Sequence, residues 1–172
     1  MVSRILDSRP CLIVLLLAVL APAAAGEDPA PAATLDDGRV GKIHFESRTP
    51  AGYFALARRD PGPKAVVFGT LRLPRAASGR APAMVIAHGS AGVDTREGEW
   101  ADRLAALGMA TFVVDSFTPR NIRSTATDQS QLSTAANVAD ALAALRLLAT
   151  HPRIDPERIG VIGFSKGGQV AL

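Results

Sequence analysis

The sequence predicts an α/β fold, with a mostly parallel sheet and helices on both faces. From about residue 83 onward, short apolar segments alternate with longer amphipathic ones, and this alternation is typical of a parallel sheet with right-handed crossovers. The short segments are rich in β-branched residues, as in Val113-Val114 and Val161-Ile162, which favours strands buried on both faces. A length of 172 residues and an apolar content of 48% suit one globular domain.

Two strands are predicted before the alternation begins, over residues 40–48 and 65–73. A turn rich in Pro and Gly at 59–63 separates them, so we expect an antiparallel pair. The alternating part predicts, in order, a strand over 83–87, a helix over 96–107, a strand over 110–114, a helix over 129–149, a strand over 158–162 and the start of a helix at Lys166.

The first long helix has signals at both ends. Asp94 or Thr95 can cap its start with a side-chain oxygen, and Gly108 can take the left-handed conformation at its end. Apolar residues at helical spacing predict the face that packs on the sheet, namely Trp100, Leu104 and Leu107.

The second long helix is rich in alanine, which lets it lie close to the sheet. Asp128 or Ser130 is its predicted cap, and Pro152 ends it near His151. One stripe is predicted to face the sheet, made of Leu132, Ala135, Ala139, Leu142 and Leu145.

Residues 1–25 have the pattern of a secretory signal peptide. Arg4 and Arg9 flank a polar start, residues 11–21 form an apolar run, and Ala23-Ala24-Ala25 offers a cleavage site. An uncleaved membrane anchor is the alternative, but a span needs about 20 apolar residues, and Pro22 ends this run earlier. We expect a secreted or periplasmic protein without a stable membrane span after cleavage.

Residues 26–38, rich in Ala, Pro and acidic residues, predict a flexible lead-in, and the domain is expected over 39–172. The single cysteine is Cys11, so the chain left after cleavage could form neither a disulfide nor a thiolate metal site. The net charge is only +3 and the basic residues are scattered, which argues against a nucleic-acid partner.

The segment Gly163-Phe164-Ser165-Lys166-Gly167 follows the last predicted strand and has the G-x-S-x-G pattern of a serine nucleophile elbow. Such a turn exposes the Ser165 hydroxyl, and Gly163 and Gly167 avoid clashes where strand, turn and helix crowd together. An ordinary turn serine is the alternative. A phosphate-binding loop is disfavoured, because Ser165 stands where that motif needs Gly, and Gly167 where it needs Ser or Thr.

A loop of small residues, His88-Gly89-Ser90-Ala91-Gly92, follows the strand predicted over 83–87. Its small residues, Gly89 among them, let backbone N–H groups approach a substrate carbonyl. We expect the N–H of Ser90 or Ala91 to join the N–H of Lys166 in an oxyanion hole.

The three histidines, His44, His88 and His151, all precede Ser165. Hydrolases with this elbow place their partners in the order Ser, then Asp or Glu, then His. His88 is therefore expected to hydrogen-bond its own loop, His44 to lie on a surface strand and His151 at a helix end.

Three further charged residues lie after the strand predicted over 110–114. Asp115 precedes the serine, so we expect it to hold the following loop through backbone N–H groups. Arg120 and Arg123 could clamp a substrate carboxylate, but solvated loop arginines are the simpler expectation.

Taken in order, four segments resemble the dienelactone hydrolase family of α/β-hydrolases. They are His88-Gly89, the stretch from Val114 to Arg120, the stretch from Asp140 to Arg158, and the elbow over 163–168. The resemblance spans about residues 66–172. It implies an α/β-hydrolase fold and cleavage of esters or lactones through an acyl-enzyme, without metal or organic cofactor. It implies Ser165 as nucleophile, with Ser90 and Lys166 as backbone oxyanion donors.

Two departures from the family pattern shape the functional hypothesis. The enzymes that give the family its name carry cysteine at the elbow, so Ser165 favours a general carboxylesterase. The family's triad acid and histidine have no counterpart here, so we expect an N-terminal portion of the domain that is inactive on its own. A peptidase or acyltransferase on the same fold, or a non-catalytic binding protein, are the alternatives.

Overall fold

The computed structural model describes residues 30–75 and 79–172, and these form one five-stranded mixed sheet with helices on both faces. The predicted signal peptide over 1–25 lies outside the described residues and stays a prediction. The strands are β1 (Gly41–Arg48), β2 (Lys64–Arg72), β3 (Ala81–Ala87), β4 (Ala110–Asp115) and β5 (Ile154–Gly163). The helices are α1 (Tyr53–Ala57), α2 (Thr95–Ala106), α3 (Thr134–Leu148) and α4 (Lys166–Ala171).

The strand order across the sheet is β1-β2-β4-β3-β5. β3 pairs in parallel with both β4 and β5, whereas β2 pairs antiparallel with both β1 and β4. The α/β prediction is confirmed, as is the antiparallel start, although the parallel part is limited to β3, β4 and β5. The parallel strands all end at one edge of the sheet, which we call the rim.

Successive residues of β3 pack on opposite faces of the sheet. Val85 belongs to the main core, which α3 covers with Ala144 and Leu148, whereas Ile86 packs with Ala101 and Leu104 of α2 on the other face. This alternation is the expected period of two for a strand buried on both sides.

α2 begins with a capping box. Asp94 accepts a hydrogen bond from the Arg96 N–H at 2.8 Å, and Glu97 accepts one from the Asp94 N–H at 2.9 Å. Gly108 follows the helix with a φ of +81°, as predicted. The prediction for Leu107 is wrong: this residue is 76% exposed, because the helix ends at Ala106 before its side chain reaches the sheet.

The predicted helix over 129–149 is broken. Asp128 caps a separate 3-10 turn at Gln129–Gln131, and α3 begins only at Thr134, with Ser133 as its cap. The predicted caps Asp128 and Ser130 are therefore wrong for α3. The Ser133 hydroxyl also donates to the Pro50 carbonyl at 2.5 Å, which fixes the start of the helix against the segment after β1.

The predicted apolar stripe of α3 is also wrong in part, since Leu142 is 42% exposed. So many residues of this helix are alanine that apolar spacing fixes its rotation only weakly. The buried face consists of Ala135, Ala136, Asn137, Asp140, Ala141, Ala144, Leu147 and Leu148.

The described part of the predicted lead-in packs on the domain. Leu35 is fully buried in the main core, and its N–H donates to the Thr150 hydroxyl at 2.8 Å. The Ala32 N–H donates to the His44 carbonyl at 2.7 Å. Residues 32–35 of the predicted lead-in therefore pack on the domain, whereas its residues 26–29 lie outside the described residues.

Candidate active site

Three loops meet at the rim, one after each parallel strand. β3 leads into the loop from His88 to Gly92, β4 into the long connection from Ser116 to Ser133, and β5 into the turn at Ser165. Because β3 lies between β4 and β5, its loop is flanked by the other two.

Ser165 lies at the turn between β5 and α4, with φ +53° and ψ −115°. A positive φ is rare and costly for a residue with a side chain, and such strain is concentrated at functional sites. The Ser165 side chain is exposed. This is the geometry expected of a nucleophile elbow.

The glycines around Ser165 make room for this turn. A Cβ on Gly163 would collide with the Gly167 carbonyl oxygen, and a Cβ on Gly167 would collide with the Ala87 carbonyl oxygen. A Cβ on Gly89 would lie 3.2 Å from the Phe164 carbonyl oxygen and 3.6 Å from the Ser165 Cβ. The loop after β3 therefore lies directly against the elbow.

The two predicted oxyanion donors, Ser90 and Lys166, belong to these adjoining segments. No turn, loop or side-chain hydrogen bond within the described residues uses the N–H of Ser90 or Lys166 as its donor. The Gly89 carbonyl accepts a hydrogen bond from the Gly92 N–H at 3.1 Å, and the His88 Nδ1 lies 2.7 Å from the same oxygen. Because a trans peptide points its N–H opposite its carbonyl, the Ser90 N–H faces away from these contacts.

His88 is buried, and both of its ring nitrogens are used. Its Nδ1 lies 2.7 Å from the Gly89 carbonyl, and its Nε2 accepts from the Ser116 N–H at 3.2 Å. A carbonyl can only accept, so the proton lies on Nδ1. The ring also meets the Phe117 ring edge to face, with centroids 4.4 Å apart. The prediction that His88 hydrogen-bonds its own loop is confirmed.

The other two histidines lie away from the elbow. His44 is in β1, opposite Phe68 of β2 and separated from β5 by three strands. His151 is buried just before β5 begins, at the edge of the sheet opposite the rim. Its Nδ1 accepts from the Arg153 N–H at 3.1 Å.

The acidic residue at the end of β4 has the predicted structural contacts. Asp115 Oδ1 accepts hydrogen bonds from the N–H groups of Phe117 and Thr118 at 3.0 and 2.9 Å. It thereby fixes the first residues of the long connection.

The expectations for Arg120 are corrected. Its guanidinium is neither a substrate clamp nor solvated, because it forms a two-pronged ion pair with Asp140 of α3, with N···O distances of 2.8 and 2.9 Å. The Asp140 side chain is fully buried and that of Arg120 only 10% exposed. The Ser47 hydroxyl completes the network at 2.6 Å from Asp140. Arg123 is exposed.

Sequence reasoning missed the side chain of Lys166. This residue is only 5% exposed, and its ammonium donates to the Leu132 carbonyl at 2.7 Å and contacts the Thr125 hydroxyl at 3.5 Å. Burial lowers the pKa of the Lys166 ammonium below its ordinary value. The elbow pattern leaves this position free, so no local signal distinguishes a buried lysine from a solvated one.

Comparison with known proteins decides the family. Residues 67–172 match the model of the dienelactone hydrolase family, and this range contains the loop after β3, the long connection and the elbow. The chain belongs to the dienelactone hydrolase family. The resemblance predicted from the sequence is confirmed, and with it the α/β-hydrolase type of fold.

Three solved structures are similar to part of this chain. The structure of m3DLH is 26% identical, with a TM-score of 0.53, and the match covers 76% of this chain and 52% of m3DLH. The dienelactone hydrolase-like promiscuous phosphotriesterase P91 from metagenomic libraries is 21% identical, with a TM-score of 0.48 and coverages of 76% and 52%. DcsB, solved in complex with its substrate analogue, is 19% identical, with a TM-score of 0.51 and coverages of 76% and 39%.

The chain spans about half the length of m3DLH and of the phosphotriesterase P91. No curated protein is similar enough to count as a match. Within residues 30–75 and 79–172, no helix combines the length and apolar character that crossing a membrane requires.

Proposed function

We propose that this protein is a serine hydrolase that cleaves small carboxylic esters or lactones through an acyl-enzyme formed on Ser165. The strained backbone of Ser165 is the observation that carries the proposal, because it exposes one hydroxyl at the rim where parallel strands end. Membership of the dienelactone hydrolase family supports the same chemistry.

In the proposed reaction, the Ser165 oxygen attacks the ester carbonyl and gives up its proton to a base. The carbonyl oxygen becomes an oxyanion, which the N–H groups of Ser90 and Lys166 stabilise. Collapse of this intermediate expels the alcohol and leaves the acyl group on Ser165, and water then releases the acid. These steps use no metal or organic cofactor.

The proposal requires a base that the three histidines do not supply. His88 uses both ring nitrogens in backbone hydrogen bonds, and His44 and His151 lie away from the elbow. The triad histidine and its acid partner are therefore still to be assigned.

The test uses a form of the protein with measurable ester hydrolysis, in which Ser165 is replaced by Ala. Hydrolysis of a nitrophenyl acetate ester is measured together with labelling by a fluorophosphonate probe. We expect kcat to fall by at least about 10⁴-fold, because the nucleophile is lost, and the probe to label the parent only. Thr34→Ala is the matched control, since it removes an exposed hydroxyl far from the rim. Labelling of the Ser165→Ala variant at the parental rate would refute the assignment.

A further inference from the structure

A chain of three hydrogen bonds connects the elbow to the loop after β3. The Lys166 ammonium donates to the Thr125 hydroxyl at 3.5 Å, Thr125 donates to the Gln129 Oε1 at 3.3 Å, and the Gln129 amide donates to the Ser90 hydroxyl at 3.0 Å. Every bond runs in the same direction, so each acceptor is also the next donor. Such a chain polarises its members in one sense.

Backbone contacts reinforce both ends of this chain. The Ser90 carbonyl accepts from the Thr125 N–H at 2.8 Å and from the Ser124 hydroxyl at 3.0 Å. At the other end, the Lys166 ammonium donates to the Leu132 carbonyl at 2.7 Å. Residues 124–132, which we call the bridge segment, therefore contact both Ser90 and Lys166, the two residues whose N–H groups are the proposed oxyanion donors.

The burial of Lys166 needs a reason, because lysine is seldom buried without a charged partner. Within residues 30–75 and 79–172, no carboxylate forms an ion pair with this ammonium. Its partners are one carbonyl, one hydroxyl and the face of the Phe117 ring, 5.9 Å from the ring centroid. These contacts replace the water that the buried ammonium has lost, and two of them join Lys166 to the bridge segment.

Gln129 makes the contact at the Ser90 end of the hydrogen-bond chain. Its side chain is exposed, so its hydrogen bond to Ser90 contributes little to the core. The bond does fix the position of Ser90 relative to the bridge segment. An oxyanion hole depends on such placement, because its donors must lie within about 3 Å of an oxygen that exists only during the reaction.

We propose that the bridge segment positions the oxyanion hole, with the Lys166 side chain and Gln129 as its positioning residues at the two ends. This inference rests on the proposed function and deepens it. The Lys166 ammonium fixes the bridge segment to the elbow, and Gln129 together with the Thr125 backbone fixes Ser90 to the bridge segment. The two donor N–H groups are thereby held in one arrangement.

In the same active form of the protein, the test removes the Gln129–Ser90 hydrogen bond from each side, with Gln129→Leu and Ser90→Ala. Both variants keep the Ser90 N–H, and neither alters the core. For ester hydrolysis we expect each to lower kcat about 10-fold while KM changes less than about twofold, since only the transition state needs the aligned donors. The double variant should be no slower than the worse single variant, because both changes break one contact.

Lys166→Met tests the other end, with thermal unfolding measured alongside kcat. We expect a kcat loss on the order of 10² with little change in KM, since both elbow contacts of the bridge segment are lost. Lys64→Met, which removes an exposed lysine, is the matched control and should keep the parental kcat. If Lys166→Met does not fold, the two exposed-end variants decide the question.

Parental kcat in both Gln129→Leu and Ser90→Ala would overturn the inference, and so would losses that multiply in the double variant. The result that counts against the proposed function is a different one, namely a Ser165→Ala variant that still hydrolyses the ester. The two failures are therefore distinguishable.

Discussion

At the residue scale, the turn at Ser165 depends on two missing side chains. Gly163 and Gly167 each face a carbonyl oxygen that a Cβ would strike, and both carbonyls are held by the paired strands and the following helix. The strain at Ser165 is therefore maintained by close backbone packing on either side of it.

This packing gives a sharp prediction for alanine substitutions. Gly163→Ala and Gly167→Ala should each lower the free energy of unfolding by more than about 3 kcal/mol, because backbone atoms must move. Gly168→Ala is the matched control, since its Cβ would lie an ordinary 3.6 Å from the nearest carbonyl oxygen and alanine favours a helix. Urea unfolding monitored by circular dichroism provides the comparison. Equal destabilisation at all three positions would contradict the collision argument.

The sequence was sufficient to predict those structural features that depend on neighbouring residues. Ser165 and its glycines follow from a short pattern, and the turn contacts of Asp115 follow from the residue type. The burial of Lys166 and Arg120 could not be predicted, because their partners are distant in the chain. Lys166 contacts Leu132, and Arg120 pairs with Asp140. Whether a basic side chain is solvated or buried is decided by what the fold brings to it.

At the element scale, α3 is positioned by polar contacts as well as by apolar packing on the sheet. The Ser133 hydroxyl donates to the Pro50 carbonyl at the start of the helix. Asp140, on its buried face, accepts hydrogen bonds from Arg120 and Ser47. Together with the high alanine content, this explains why apolar spacing predicted the buried face only in part: a carboxylate on the buried face is not part of that pattern. The positions of the strands, set by compact β-branched runs, were predicted well apart from the early start of β5.

The Arg120–Asp140 pair should be strongly coupled in stability. Arg120→Met leaves the buried Asp140 carboxylate without its charge partner and should cost about 3–5 kcal/mol of unfolding free energy. Arg120→Met combined with Asp140→Leu should recover most of that loss, because no unpaired charge then remains.

The exposed neighbour Arg123 supplies the control for this pair. Arg123→Met should change stability by less than about 0.5 kcal/mol, as expected for a surface substitution. Urea unfolding of the three variants measures all of these differences. A double variant as unstable as Arg120→Met alone would show that the pair matters for packing rather than for charge.

At the scale of the whole molecule, the segment before β1 is joined to the end of α3. Leu35 fills the core and binds Thr150, and His151 lies buried next to this junction. Burial lowers the pKa of the His151 imidazole, and the charge of Arg153 acts in the same direction.

This shift links stability to pH. An unfolded histidine takes up its proton near a pKa of about 6.5, whereas folded His151 stays neutral to lower pH. As the pH falls below that value, the unfolded state binds more protons, so the free energy of unfolding should decrease until folded His151 also titrates.

His151→Asn, which keeps an acceptor for the Arg153 N–H, should reduce this acid slope by up to one proton. Unfolding free energies measured at a series of pH values between about 7 and 5 test the expectation. Identical slopes for parent and variant would refute it.

β5 separates the residue that links stability to pH, His151, from the proposed nucleophile, Ser165. His151 precedes the strand and Ser165 follows it. The two ends of β5 pair with Ala81 and Ala87 of β3, and these six steps at about 3.3 Å each correspond to roughly 20 Å. Coulombic interaction falls with distance, so a charge at His151 acts only weakly on groups at the rim. We therefore expect substitutions near His151 to change stability in acid with little effect on chemistry at the rim, so that the two edges of the sheet can be altered separately.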